Sequence, residues 1–321
     1  MTKPFVRADV QAVLDMLAQQ EGPKMHEVEP DMARQMMLAM GQIAERPRGD
    51  LFAVSDIRVP SGHGHDIPAR VYHPSEPDGP APALVFYHGG GWVIGDLETH
   101  DSLCAEMARQ LGMTVLSVDY RLAPEHKFPA AGEDCIAATT WAANSPAELG
   151  HDVTGLVLSG DSAGGNMTAI TAQALTGTLP VPILAQFLIY PGVDMTASTG
   201  SMQEFGEGYL LTAEGMQWFS NHYLGAPADV EDPRASPLKA ESLAGQPRAL
   251  VYTCGLDPLR DQGRAYAGRL IASGVRTIYR EAPGQIHGSF NLRQAIPSAQ
   301  EDLSACIADL KHLLNEAVAP E

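Results

Sequence analysis

The 321-residue chain reads as an α/β protein with a mostly parallel central sheet flanked by helices. Three observations predict this. Short apolar runs alternate with helical patterns of 10 to 15 residues through most of the chain. One run, VTGLVLSG, passes straight into a glycine-rich segment and then a helix-compatible stretch, MTAITAQAL. Another, ALVFYH at 83–88, enters three consecutive glycines.

The elements follow in order. Val6, Val10, Val13, Leu14 and Leu17 recur at helical spacing over 6–19. A second helix is expected over 31–43, where Met32, Met36, Met37 and Met40 share a face suited to flexible packing. Leu51–Val59 and Ile67–His73 read as strands joined by the turn SGHGH, an antiparallel edge because no helix separates them. Strands are then expected at 83–88, 114–118, 155–159, 184–190, 249–254 and 277–280. Helices are expected at 101–110, 130–143, 164–175, 261–272 and 298–316.

Residues 194–245 break the alternation: they hold a helix at 212–223 and Pro-rich turns but no strand. A structureless loop of that length is unusual in a compact domain, so an inserted helical cap packed on the N-terminal helices is expected. The organisation is therefore 1–48, N-terminal cap helices; 49–193, first part of the core; 194–245, cap insertion; 246–321, second part of the core.

Composition narrows the function classes. Apolar residues make up 45% and aromatics 6%, as in an ordinary globular enzyme. A formal charge of -18 opposes binding to nucleic acid or to an anionic membrane, which basic patches hold. No stretch is long and apolar enough to span a bilayer, and the N-terminus lacks the uncharged core of a secretory signal. Cys104, Cys135, Cys254 and Cys306 form no CxxC pair and have no clustered histidines, so no metal site is expected. Buried free thiols fit a reducing, cytoplasmic setting. Neither GxxxxGK[ST] nor a GxGxxG opening the first strand–helix unit is present, so no nucleotide cofactor is expected.

Gly160-Asp161-Ser162-Ala163-Gly164 fits G-x-S-x-G, a cramped strand-to-helix turn that exposes a serine hydroxyl near a helix N-terminus. Five residues alone would equally describe a glycine-rich helix start capped by Ser162. His88-Gly89-Gly90-Gly91-Trp92 is the HGGG-type loop whose amides hold a developing oxyanion. Gly90, Gly91 and Ala163 are the expected donors, with His88 holding the loop. A serine needs a base, and three histidines follow Ser162. His222 lies in the insertion and His312 in the terminal helix; His287 lies in a loop after the last strand. Asp257 leaves a strand directly and is better placed to orient His287 than Asp261, which suits a helix start.

Together these residues resemble the bacterial hormone-sensitive-lipase-like carboxylesterases of the α/β-hydrolase fold. The resemblance runs through HGGGW at 88–92, DYRLAPEHKFPA at 119–130, GDSAGGN at 160–166, YPGVD at 190–194, DPLRD at 257–261 and HGSF at 287–290. It implies Ser162, Asp257 and His287 as triad, Gly90, Gly91 and Ala163 as oxyanion donors, and a cap. It also implies a homodimer and hydrolysis of small-molecule acyl esters of short to medium chain length without a cofactor. Ser289 departs from the family's usual HGF and is expected to reshape the loop while leaving the base intact. Amide or lactone hydrolysis would use the same machinery, and a non-catalytic receptor would lack a triad member.

Overall fold

A computed structural model of the chain describes residues 3–19, 21–196 and 198–318. Eight strands form one sheet: β1 (Ala53–Pro60), β2 (Asp66–His73), β3 (Ala81–Tyr87), β4 (Thr114–Val118), β5 (Val153–Asp161), β6 (Ile183–Ile189), β7 (Arg248–Leu256) and β8 (Thr277–Ile286). Their spatial order is β1-β2-β4-β3-β5-β6-β7-β8. β2 pairs antiparallel with both β1 and β4, and every other pairing is parallel, so β2 alone runs against the rest. The antiparallel edge expected from the sequence is present.

Period-two alternation explains how the sheet is covered. On β3, Leu84 and Phe86 face a core shared with α3 (Asp101–Leu111) and α9 (Pro297–Val318). Ala83, Val85 and Tyr87 face the other side, against α4 (Ala130–Ala142) and α5 (Ala163–Leu175). β7 repeats the pattern: Leu250 and Tyr252 pack toward α9, while Ala249 and Val251 pack toward α8 (Arg260–Ala272). Both faces are dry, which is why the central strands read as continuous apolar runs.

α1 (Ala8–Gln19) and α2 (Pro30–Ala44) precede the sheet. The four methionines of α2 do not form one packed face. Met37 and Met40 join opposite cores, and Met32 is half-exposed to solvent at 50%. Arg34 is the firmer attachment: it donates to the Val93 and Ala123 carbonyls and bidentately to Glu125. Those hydrogen bonds draw the Glu125 carboxyl down to about 2. At the end of α2, Glu45 pairs with the buried Arg293, although burial still leaves its pKa raised.

Between β6 and β7, α6 (Gly200–Phe205) and α7 (Ala213–Tyr223) occupy the irregular region, and no strand occurs there among the described residues. α6 was not apparent from periodicity because it is a single short element, started by Thr199 accepting from the Met202 amide. β8 extends to Ile286, well past the apolar run ending at Arg280. Its backbone goes on pairing with β7 although Glu281 and Gln285 interrupt the pattern. All four cysteines are free and buried. Among the described residues no helix is long and apolar enough to cross a membrane.

Candidate active site

Ser162, Asp257 and His287 each stand immediately beyond the C-terminal end of a parallel strand, β5, β7 and β8 respectively. That end of an open α/β sheet is where side chains from separate strands can meet over a crevice. His287 Nε2 lies 2.8 Å from Ser162 Oγ, and His287 Nδ1 lies 2.7 Å from Asp257 Oδ2. An ionised carboxylate can only accept, so Nδ1 carries the proton and the Nε2 lone pair faces the serine hydroxyl. Asp257 is fully buried, and its other oxygen accepts from the Leu259 amide at 2.8 Å, which fixes the carboxylate plane. Such an arrangement can remove a proton from the hydroxyl and hold the resulting imidazolium.

Ser162 adopts φ 56 and ψ -114, a sparsely populated conformation for a side-chain-bearing residue. The turn is held by the Ser162 amide donating to Ile189 O and by Asn166 N donating to Ser162 O. It also presses against the end of β3. A Cβ on Gly164 would sit 1.9 Å from the Tyr87 carbonyl oxygen, and only hydrogen fits there.

The glycine loop lies alongside. Gly89 N–H is consumed by Asp161 Oδ1 at 2.8 Å, whereas the amides of Gly90, Gly91 and Ala163 bond to nothing else in the chain among the described residues. Unpaired amides on a loop tied to the nucleophile turn through Gly89 and Asp161, and on the residue after Ser162, can stabilise an alkoxide. His88 is buried, with Nδ1 2.8 Å from Gly89 O and its ring stacked on Tyr120 at 4.3 Å. Burial, with His100 adding to it, pushes the His88 pKa down to about 4, so the ring is neutral near pH 7. The Tyr120 hydroxyl donates to His88 O at 2.6 Å. That contact and the Arg121–Asp134 pair give structural work to the DYRLAPEHKFPA segment.

The remaining histidines and Asp261 lie outside this cluster. His222 packs edge-on against Trp218, and His312 pairs with Glu316 on α9. Asp261 does not cap its own helix: Oδ2 accepts from Ser201 N on α6, and Oδ1 pairs with Arg260 and Arg264. Ser289 is buried with its hydroxyl toward Cys254 Sγ, and it opens a 3-10 turn, Ser289–Asn291, below the base.

Phe219, Tyr223 and Leu210 carried no local sequence signal, and Tyr190 stood in the YPGVD motif without an assigned role. On α7, Phe219 and Tyr223 are one turn apart and face the glycine loop. Tyr223 stacks on Trp92 at 4.4 Å. The Phe219 ring lies so close to Gly91 that a Cβ there would approach it to 2.3 Å. Leu210 reaches within 3.8 Å of the Cβ position of Gly288, on the base side. Tyr190 packs against the His287 ring at 4.8 Å. An aromatic or leucine at ordinary helix and loop positions cannot be told from core packing by sequence alone. Among the described residues no group of three or more His, Cys, Asp or Glu side chains could hold a metal ion.

A family model described as alpha/beta hydrolase fold matches residues 84–291. The carboxylic ester hydrolase LipN of Mycobacterium tuberculosis is 47% identical over 248 residues, 75% of this chain and 65% of that protein. An ethyl acetate hydrolase of Pseudomonas putida is 37% identical over 295 residues, 90% of this chain and 92% of that protein. Among solved structures, an ester hydrolase from the metagenome of Lake Arreo, complexed with a bipyridine phosphonate derivative, superposes with a TM-score of 0.90 at 37% identity. That match covers 95% of this chain and 98% of the other.

Proposed function

The chain belongs to the hormone-sensitive-lipase-like carboxylesterases of the α/β-hydrolase fold and is a carboxylic ester hydrolase, and on that premise we propose that Ser162, His287 and Asp257 carry the reaction. One observation carries the assignment: the unbroken hydrogen-bonded path from Asp257 Oδ2 through His287 to Ser162 Oγ, with links of 2.7 Å and 2.8 Å.

His287 Nε2 takes the proton of Ser162 Oγ as the oxygen attacks the ester carbonyl. The carbonyl oxygen becomes an alkoxide held by the amides of Gly90, Gly91 and Ala163. Collapse of that intermediate expels the alcohol, which takes its proton from His287, and leaves an acyl group on Ser162. Water then attacks the acyl carbon while His287 accepts its proton. The second collapse releases the carboxylic acid and returns the proton to Ser162. Asp257 holds the imidazole in the required tautomer throughout. A fluorophosphonate should add one label to the Ser162 peptide and abolish hydrolysis of p-nitrophenyl butyrate in step with labelling. Labelling of another residue, or full activity after complete Ser162 labelling, would overturn the assignment.

Residues 1–48 and 194–245 act as the cap in this reading. Supporting contacts are His26 with Glu214 at 3.4 Å, and Tyr223 O accepting from Phe128 N at 2.8 Å. With Phe219 over Gly91 and Leu210 beside Gly288, the space around Ser162 suits short to medium acyl groups. Wild-type kcat/KM should peak at six acyl carbons or fewer. Phe219→Ala should raise the decanoyl-to-butanoyl ratio of kcat/KM by about tenfold, as expected if the space left by the ring admits about two further methylenes at about 0.8 kcal/mol each. An unchanged ratio across an acetyl-to-dodecanoyl series removes Phe219 as the limiting wall. The homodimer and cytoplasmic setting belong to the same reading, and rest on the family and on four unpaired buried cysteines.

A further inference from the structure

Asp161 is the residue before the proposed nucleophile, yet its side chain points away from the reacting atoms into a buried polar cluster. Asp161 as a whole is only 3% exposed. Oδ1 accepts from Gly89 N at 2.8 Å and lies 3.1 Å from His100 Nε2; Oδ2 accepts from Asn291 Nδ2 at 3.1 Å. His100 is fully buried, and its Nε2 is itself approached by Gly89 N at 3.3 Å and by Asn291 Nδ2 at 3.1 Å. The Thr99 hydroxyl donates to Asp96 O, so it accepts from His100 Nδ1 at 2.9 Å.

The position of each partner gives the cluster its meaning. Asp161 is bonded directly to Ser162 in the chain. Gly89 adjoins the loop residues Gly90 and Gly91. Asn291 closes the 3-10 turn that follows His287. One buried carboxylate and one imidazole therefore join the nucleophile turn, the glycine loop and the base loop. These three segments are far apart in sequence. Burial alone would raise the Asp161 pKa, yet His100 and the Gly89 amide hold it below the ordinary carboxylate value, so a full charge anchors the cluster at neutral pH. A charged acceptor makes the stronger hydrogen bond to an amide.

We propose that Asp161, His100 and Asn291 form a positioning unit that sets the placement of the Gly90 and Gly91 amides relative to Ser162 and His287. The unit touches no substrate; it acts on transition-state stabilisation through the loop. The inference rests on the functional reading above and extends it to residues no motif assigns a role. It also accounts for the loop after the base: the turn containing Ser289 brings Asn291 under the glycine loop.

The test uses Asn291→Ser, which keeps a polar group at a half-buried site but is too short to reach both partners, together with His100→Phe and His100→Gln. Each is assayed for kcat and KM with p-nitrophenyl butyrate and for affinity toward an alkyl trifluoromethyl ketone, whose serine hemiketal carries the oxyanion. Asn291→Ser and His100→Phe should lower kcat by about 10- to 100-fold with KM within about threefold of wild type. Ketone affinity should fall in parallel with kcat, and His100→Gln should recover most of both. In the wild type, the Gly89 amide should be among the slowly exchanging amides. Folded Asn291→Ser with wild-type kcat and ketone affinity overturns the proposal, as does fast exchange at Gly89, which needs no variant. Loss of kcat with unchanged ketone affinity also overturns it, because that pattern marks a general structural defect. Should Ser162→Ala still hydrolyse the ester, the functional reading fails first, and the two failures are thereby told apart.

Discussion

Ser162→Ala lowers kcat for p-nitrophenyl butyrate by about 10⁴- to 10⁶-fold, the range expected when the nucleophile of a serine–histidine pair is removed. The protein should stay folded. Ser162 occupies a strained turn at φ 56, and alanine has no stronger objection to that conformation than serine does. Its hydroxyl has one partner, His287 Nε2, and the turn is otherwise held by backbone bonds that alanine keeps. Asp257→Asn should cost about 10⁴-fold by another route. An amide that presents N–H toward His287 Nδ1 favours the tautomer whose Nε2 carries the proton and cannot accept one from serine. The double variant should be little worse than Ser162→Ala, because groups acting as one unit are strongly non-additive. Matched kcat measurements on the two single variants and the double variant check this, with circular dichroism to establish folding. Additive losses would mean that Asp257 and Ser162 act independently.

Gly164→Ala is the second large effect, and it acts on the fold first. The added methyl would lie 1.9 Å from Tyr87 O and 2.8 Å from His88 O, and neither backbone atom can rotate away. Relief requires separating the nucleophile turn from the end of β3, which moves Ser162 and the glycine loop apart together. A loss of about 3 kcal/mol or more is expected, at the upper end of overpacking effects. Activity should fall by at least about 10²-fold even in the folded fraction, as for loss of an oxyanion donor. Gly268→Ala is the internal comparison. Gly268 lies in α8 with nothing within 4 Å of the Cβ position, so alanine there should stabilise by up to about 1 kcal/mol. Urea midpoints for the two variants should therefore move in opposite directions. A Gly164→Ala protein as stable and active as wild type would mean that the turn does not pack against β3.

Much of the fold was legible in the sequence because its signals are local. Each strand of the core is a short apolar run, and each crossover helix has a period that can be read within its own length. The glycines around Ser162 and in 88–92 are likewise local, since a close approach of backbone leaves no room for a side chain. Asp257 and His287 could be selected because they follow strands and have few rivals downstream. The Met-rich face of α2 was misleading for the same reason: periodicity reports which residues align, and Met32 aligns with its neighbours while facing solvent.

What only the tertiary structure decided is how these segments register with one another. Along β7 and β8, Ala249 pairs with Thr277 and Cys254 with Ala282, but Leu256 pairs with Ile286. The two extra residues are taken up where Gly284 adopts φ 73, a bulge on which Arg7 N–H closes by donating to Gly284 O. Without that slip His287 would lie two positions out of line with Asp257. Phe219 over Gly91, and Asp161 joined to His100 and Asn291, are choices of the same kind. By itself the chain determined which residue types could do acyl-transfer chemistry and on which elements they sit. Their meeting depends on pairings between segments distant in sequence, whose energies come from packing and from bulges that no local window contains.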